Sequence, residues 1–441
     1  MNRPSRRTVL RQGLGALSAA AVGSWTGAEP APILPLEPAP AGTPDEVARD
    51  EAYWARVRSA FRFESRYVWL SHGPGSAVPQ AVLDRMKGYV DTLAHEPAHD
   101  APAFRDLKES GSSQALRERM ARTFGCDPAE IALTRNAMEG LATCLLGYDL
   151  KPGDEVLTTR LDYDACIAIL RQRERRDGIR LKLVSIPAPA ATAGEVVAAF
   201  EEAITPRTRM MLACHMLTGN GQVLPVRELA ALARRRGILL VVDGAHSIGH
   251  LDFRLADLGC DCFAGSLHKW FLAPRGTGML YIRRDRIKEI WPIFAPYSKR
   301  ADTDIEKFEE VGTVSLAVPA VLPEVFDLHD ALGARNKEAR LRYLRDRWAE
   351  PLARHERVRF RTSFDPRWSC AMAGFTIQGF DVMQLRTMLR EQYGLWVRSF
   401  EEAEQPEVKG INVGANVMNS LAEVDRLVAA IDELTRKGSG G

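Results

Sequence analysis

The sequence lacks a charge excess: 59 lysines and arginines against 57 aspartates and glutamates leave a formal net charge of +2 over 441 residues. That balance removes the electrostatic footprint of a nucleic-acid binder, so no nucleic-acid partner is expected. Cysteine is scarce and odd in number, seven in all. Most of the seven sit in apolar runs such as LATCLL around Cys144 and MMLACHM around Cys214, which predicts buried unpaired thiols instead of a disulfide framework. Cys260 and Cys262 share a strand face but stand too far apart along it to bridge. The uncharged N-terminal run from Gly13 to Trp25 is shorter than the about 20 apolar residues that a spanning helix needs. No metal ligand set is expected.

What that N-terminal run does have is a basic approach through Arg3, Arg6, Arg7 and Arg11. Basic start, apolar middle and small-residue stop make the layout of an export signal, and Ser5 to Leu10 (SRRTVL) resembles the twin-arginine signal. The plainer alternative is a basic tail and a short apolar helix. On the export reading residues 1–28 are a signal peptide, the protein is periplasmic or secreted by the twin-arginine route, and nothing anchors it to a membrane after cleavage. The following EPAPILPLEPAPAGTP, from Glu29 to Pro44, is too proline-rich for regular helix and predicts an extended tether within a linker over 29–50.

With hydrophobic residues at 46% the chain can bury a sizeable core. From about Leu83 helical and strand-like stretches alternate with short turns, predicting an α/β fold with a mostly parallel sheet covered by helices. Strands are expected at Asp154 to Thr159, Arg180 to Ile186 and Arg209 to His215, and helices at Ala165 to Arg176, Glu195 to Ala203 and Pro225 to Arg236. ILLVVDGAH, starting at Ile238, is continuously apolar, as a strand buried on both faces should be. Asp243 is its first charge and falls at the carboxyl end of the strand, where such sheets bind ligands. A carboxylate there needs a partner: a helix cap, an arginine, or the protonated ring nitrogen of a cofactor. One crossover later GSLHKWFLAPRGTG (Gly265 to Gly278) places Lys269 at the same edge. Pyridoxal phosphate chemistry asks for that pair, a lysine for the Schiff base and a carboxylate that keeps the pyridine protonated.

DGAHSIGHLD (Asp243 to Asp252), DCFAGSLHKWFLAPRGTGMLY (Asp261 to Tyr281) and FEEVGTVSLAVPAV (Phe308 to Val321) together resemble class V aminotransferase-fold enzymes, in the isopenicillin N epimerase-like branch, over about Tyr67 to Leu434. The resemblance implies pyridoxal-phosphate fold type I. It implies a large cofactor domain at 83–325, a small α+β domain from 51–82 with 326–437, and a homodimer with shared sites. It makes Lys269 the covalent anchor and α-proton base, Asp243 the pyridine partner and His246 the contact to the phenolic oxygen. Ser266 and His268 match phosphate-side contacts, Asn136, Ala137 and Met138 a phosphate loop opening a helix, and Thr313 a phosphate donor from the second subunit. Tyr163 is the aromatic available to stack on the ring, and Thr218 matches a site near the phenolic oxygen, with Asn220 as its alternative.

The departures bear on substrate. Arg398, in GLWVRSF, resembles a family arginine, whereas Asn412 stands where the family usually carries the arginine for the substrate carboxylate. An amide cannot replace a guanidinium clamp without losing charge. Either Arg398 or another basic group takes over, or the substrate carboxylate is masked or absent. His72, in WLSHGPGS, is a further substrate-side candidate with a turn histidine as the plainer reading. Glu401, Glu402, Ala403 and Glu404 follow without a cysteine, which argues against persulfide chemistry. The expected function is therefore an exported enzyme acting at the amino-bearing carbon of an amino acid or peptide, by transamination, epimerisation, or decarboxylation with deamination. Tailoring of a secreted peptide or a pyoverdine-type siderophore stands as an alternative by analogy. A non-catalytic aminotransferase-like module is the competing class.

Overall fold

In the computed structural model residues 37–63, 66–95 and 113–437 are described. The export-signal segment and the first part of the expected linker lie outside them. Thirteen strands are present among the described residues: β1 Val68–Trp69, β2 Ile131–Thr134, β3 Glu155–Thr159, β4 Arg180–Val184, β5 Thr208–Cys214, β6 Leu239–Asp243, β7 Cys262–Ser266, β8 Gly278–Ile282, β9 Val358–Phe360, β10 Met372–Ile377, β11 Leu395–Trp396, β12 Arg398–Glu402 and β13 Gln405–Gly414.

Seven of them form one sheet in the order β2-β8-β7-β6-β5-β3-β4. Pairings from β7 through β6, β5 and β3 to β4 are parallel, and β8 runs antiparallel to both β7 and β2. This is the α/β, mostly parallel arrangement that the alternation of helical and strand-like stretches predicts. β6 lies at the centre because nothing in LLVV can face water: Leu239, Leu240, Val241 and Val242 are each fully buried. At about 1.5–3 kcal/mol for each such side chain, the four outweigh the several kcal/mol that one buried carboxylate costs. The strand can therefore end on Asp243 without losing its place. The helix Val226–Arg236 feeds β6 and stops at Gly237, whose φ of 66° is open to glycine at no steric cost.

A second, antiparallel sheet has the order β12-β13-β10-β9, and β1 pairs in parallel with β11 beside it. The N-terminal segment is thus tied to the C-terminal third. Ser71 bridges Gly414, and the backbone N–H of His72 also bonds the Gly414 carbonyl.

The tether expected through residue 50 ends earlier than the sequence suggests. Thr43 caps a helix over Pro44–Arg49, with Thr43 accepting from the Glu46 N–H and Glu46 accepting from the Thr43 N–H. Pro44 occupies the first turn, where a missing N–H costs nothing. Val47 and Ala48 are buried, Trp54 donates to the Val47 carbonyl at 2.8 Å, and buried Arg340 donates to the Ala48 carbonyl at 2.9 Å. All seven cysteines are free and six are buried. Among the described residues no helix is long and apolar enough to cross a membrane.

Candidate active site

Asp243 ends β6 and Ser266 ends β7, so the chain from Ser266 to Lys269 turns over the same sheet edge. The turn is pinned from several sides. Lys337, fully buried, donates to the Trp270 carbonyl; the Ser76 N–H bonds the His268 carbonyl at 3.2 Å; His250 packs on the Trp270 ring at 3.9 Å. Leu272 adopts φ 69°, a left-handed conformation costly for a side chain that is not glycine, and Leu272 is itself buried. Surrounding packing holds that strained residue three positions after Lys269.

Lys269 Nζ lies 3.2 Å from His246 Nε2, while the Trp270 indole N–H donates to His246 Nδ1 at 3.4 Å. With Nδ1 accepting, the neutral ring carries its proton on Nε2, the nitrogen that faces Nζ. Burial and charge act on all three groups. Burial pulls Lys269 below the ordinary lysine range, opposed by the Asp243 charge. Burial, then the neighbouring Lys269 charge, holds His246 far below the usual histidine range. Burial raises Asp243, and Lys269 draws it back down. A carboxylate and an amine that sense each other across a dry interior can hold opposite ends of a polar ring.

At the other end of the site Ser266 Oγ accepts the Ala137 N–H at 3.1 Å, where the helix Ala137–Gly147 begins. Asn136 caps that helix, its side chain accepting from the Glu139 N–H. The cap approaches so closely that a Cβ on Gly278 would stand 2.5 Å from the Asn136 Cα. Backbone N–H groups at a helix start beside a buried hydroxyl suit a phosphate. Asn136, Ala137, Met138 and Ser266 are therefore brought together as the sequence suggested. His268 comes with them, its Nδ1 3.3 Å from the Thr277 carbonyl and its basicity lowered by burial.

Sequence reasoning missed Asp162. Its carboxylate is buried beside Asp243, accepts from Thr158 Oγ at 2.9 Å, from the Cys214 thiol at 3.2 Å and from the Tyr163 N–H at 3.0 Å. Burial, then the Asp243 charge, pushes it up to about 6. Ligand atoms of Asp162, Cys214 and Asp243 lie within 4.8 Å of one another, the only such group among the described residues. Cys214 is no thiolate there: burial and the two carboxylates hold its thiol far above its ordinary pKa. The trio is a hydrogen-bonded network behind Asp243. The signal was present, since Asp162 comes three residues after the end of buried β3, near the edge that Asp243 reaches as the last residue of β6.

The class-V aminotransferase family matches residues 68–426 of this sequence. This chain belongs to that family. Among its relatives are the isopenicillin N epimerases of Streptomyces clavuligerus, 30% identical over 87% of this chain and 99% of the relative, and of Amycolatopsis lactamdurans, 29% identical over the same shares. A probable cysteine desulfurase of Mycolicibacterium paratuberculosis is 26% identical over 84% of this chain and 56% of the relative. Among solved structures, a C-DES variant with glycine covalently linked to its PLP cofactor superposes with TM-score 0.76 at 24% identity, covering 86% of this chain and 99% of the other.

A class-V enzyme uses pyridoxal phosphate, and the donor set here fits it: a buried carboxylate for the ring nitrogen, an amine held below its usual basicity, and a helix start with a hydroxyl for the phosphate. Other candidate residues of this class-V chain fall less tidily. Tyr163 precedes the helix Asp164–Asp177 and its side chain is 43% exposed, which leaves a ring face open. Thr218 is half-buried and makes no hydrogen bond among the described residues. Its alternative, Asn220, is spent on the backbone, donating to the Arg361 carbonyl and accepting from the Gln222 N–H. Thr313 is exposed after Gly312 and has no hydrogen-bond partner among the described residues.

Arg398 begins β12 directly opposite Asn412 on β13. Its charge depresses the basicity of both Lys269 and His246, so the guanidinium looks into the site. Asn412 is buried and donates to the Gly219 carbonyl at 2.6 Å. The residue standing in the arginine position thus braces the loop after β5. His72 is turned to packing: its ring stacks on Trp69 at 4.6 Å, its Nε2 lies 3.2 Å from the Trp69 carbonyl, and burial lowers it to about 4. The neighbouring glycine reaches the site instead, since a Cβ on Gly73 would stand 3.3 Å from the His246 ring. Glu402 is a second residue that the sequence did not single out. It shares a strand face with Arg398, lies against Gly219, and is pushed up to about 7 by burial and then by Asp164.

Proposed function

We propose that this protein is an exported pyridoxal-phosphate enzyme acting at the amino-bearing carbon of an amino acid or a peptide-borne amino acid, by aminotransferase or epimerase chemistry. The observation that carries it is the placement of Lys269, buried at the sheet edge, 3.2 Å from His246 Nε2 and within the field of Asp243. When bound, the cofactor supplies an electron sink that makes the hydrogen on that carbon acidic. Asp243 holds a negative charge at the ring nitrogen and Asp162 steadies it through Cys214. Lys269 Nζ takes the proton at the α-carbon, an unprotonated amine being the form that can accept one. His246 keeps Nζ aimed, and its own Nε2 proton is available to an oxygen on the ring. Ser266 and the Ala137 N–H fix the phosphate end. Arg398 receives an anionic group of the substrate. Relatives named as isopenicillin N epimerases support action at an amino-bearing carbon. The basic and apolar N-terminal run supports export.

Asn412 favours a peptide or siderophore substrate over a free amino acid, because one of the two cationic contacts expected for an α-carboxylate is missing. Incubating holoenzyme in deuterium oxide with free amino acids and with peptides, and reading loss of the α-hydrogen signal by proton NMR, tests both points. Exchange is expected, faster with peptides. No exchange with any amine-bearing substrate would defeat the reading.

A further inference from the structure

Beside the site lies a cavity of about 680 Å³ whose wall includes Arg275, Arg386, Arg390 and Arg398 and, among the described residues, no acidic one. Its remaining surface is largely aromatic. Tyr67 meets Trp396 edge to face at 5.5 Å, Trp396 is 44% exposed, and Trp69 closes the inner end by stacking on His72. Among the described residues the carboxylates near these cations lie off the cavity wall, Glu402 beside Arg398 and Glu391 beside Arg390. Arg390 reaches Glu391 at 3.0 Å in a half-exposed pair and sits 5.9 Å over the Trp396 ring; such surface pairs neutralise little. Arg386 donates to the Ser399 hydroxyl at 3.2 Å.

The cavity adjoins the site through two stretches of chain. Arg275 belongs to the same turn as Lys269 and lies over Gly75, while Gly73 touches the His246 ring and Ser76 bonds the His268 carbonyl. Arg398 belongs to both, lining the cavity while lowering the basicity of Lys269 and His246. A hollow of that size takes a ligand of peptide dimensions. Guanidiniums that face a hollow beside flat rings select carboxylates attached to apolar or aromatic groups.

We propose that this cavity is a specificity subsite for a substrate with a second carboxylate and a flat apolar portion at some distance from the reacting amine, held by Arg386 and Arg390. The inference rests on the reading of the adjoining site as the place where the amine reacts. It supplies the cation that Asn412 does not, one cavity farther out, and makes the substrate at least dianionic.

The test separates the two. N-acetyl-γ-L-glutamyl-L-tyrosine has no free amine, so its binding to holoenzyme by isothermal titration calorimetry is independent of the amine's reaction; γ-L-glutamyl-L-tyrosine, with its amine, reports on exchange. The acetylated diacid is expected to bind at least about tenfold tighter than its tyrosine carboxamide, which keeps the glutamyl α-carboxylate for Arg398. The double variant Arg386→Gln/Arg390→Gln should lose that preference with carboxamide binding unchanged, and Arg386→Lys/Arg390→Lys should recover part of it. Equal affinity for diacid and carboxamide in the wild type would overturn the proposal. So would a glutamine double variant that binds the diacid normally but sediments as a smaller species, which would assign the cavity to a second copy of the chain. If the diacid binds as expected while the free amine shows no exchange, the subsite stands and the reading of Lys269 fails.

Discussion

The carboxyl edge of the seven-stranded sheet and the facing end of the four-stranded sheet do different jobs, and their physics differs accordingly. On the first edge the charged groups around Lys269 answer one another: Asp243 to Lys269, Lys269 to His246, Asp162 to Cys214 and Asp243. On the second, Arg398 and the groove arginines are half-buried or exposed and, among the described residues, lack carboxylate partners on the cavity wall. Buried, mutually satisfied charge fixes a cofactor and a reaction type. Open, unsatisfied charge waits for a ligand, and it is free to vary with substrate.

If that contrast is right, substitutions on the two sides should fail in different ways. Asp243→Asn keeps the shape but removes the negative charge, so α-hydrogen exchange should slow by about 10³-fold at saturating substrate, with cofactor lost readily on dialysis. Retained rate with tightly held cofactor would break the comparison. Arg398→Gln should instead raise KM by about tenfold to a hundredfold while kcat stays within about threefold; a matching collapse of kcat would place Arg398 with the reacting groups.

The smallest effect concerns Glu402, whose carboxyl is faced by Arg398 on its own strand and by Asp164 and Asp162 across from it. With its pKa raised to about 7, it is uncharged below that pH and anionic above it. Affinity for an anionic ligand should therefore fall by about threefold to tenfold as pH rises through 7, because the new carboxylate opposes Arg398. Glu402→Gln should hold the low-pH affinity throughout. Calorimetric titration with the acetylated diacid at pH 6 and pH 8 reads this directly.

The first edge was legible in the sequence because continuous burial leaves few options. LLVV can only be a central strand, so the charge that ends it can only be at the ligand edge, and the spacing to SLHKW did the rest. Asp162 obeys the same logic but is preceded by Arg160 and sits on a turn, where an acidic residue ordinarily means a cap. The second sheet was harder for a different reason. Arg398 and Asn412 are neighbours only through antiparallel register, Glu402 gains its environment from a loop almost two hundred residues earlier in the chain, and Arg275, Arg386 and Arg390 converge from separate elements. No local pattern announces such a meeting. His72 shows the converse: a polar residue in a glycine-rich turn read as a substrate-side candidate or a turn histidine, yet stacking on Trp69 buries it completely. Helix Pro44–Arg49 was hidden by counting prolines without asking which one could start a helix.

The central claim is that one amine, Lys269, carries the cofactor. Reducing the holoenzyme with borohydride, digesting it and mapping peptides by mass spectrometry tests this most directly. The account predicts a reduced pyridoxyl phosphate adduct on Lys269, absent from Lys269→Ala prepared and reduced in the same way. Label on another lysine, or a wild-type protein that takes up no cofactor at all, would contradict it.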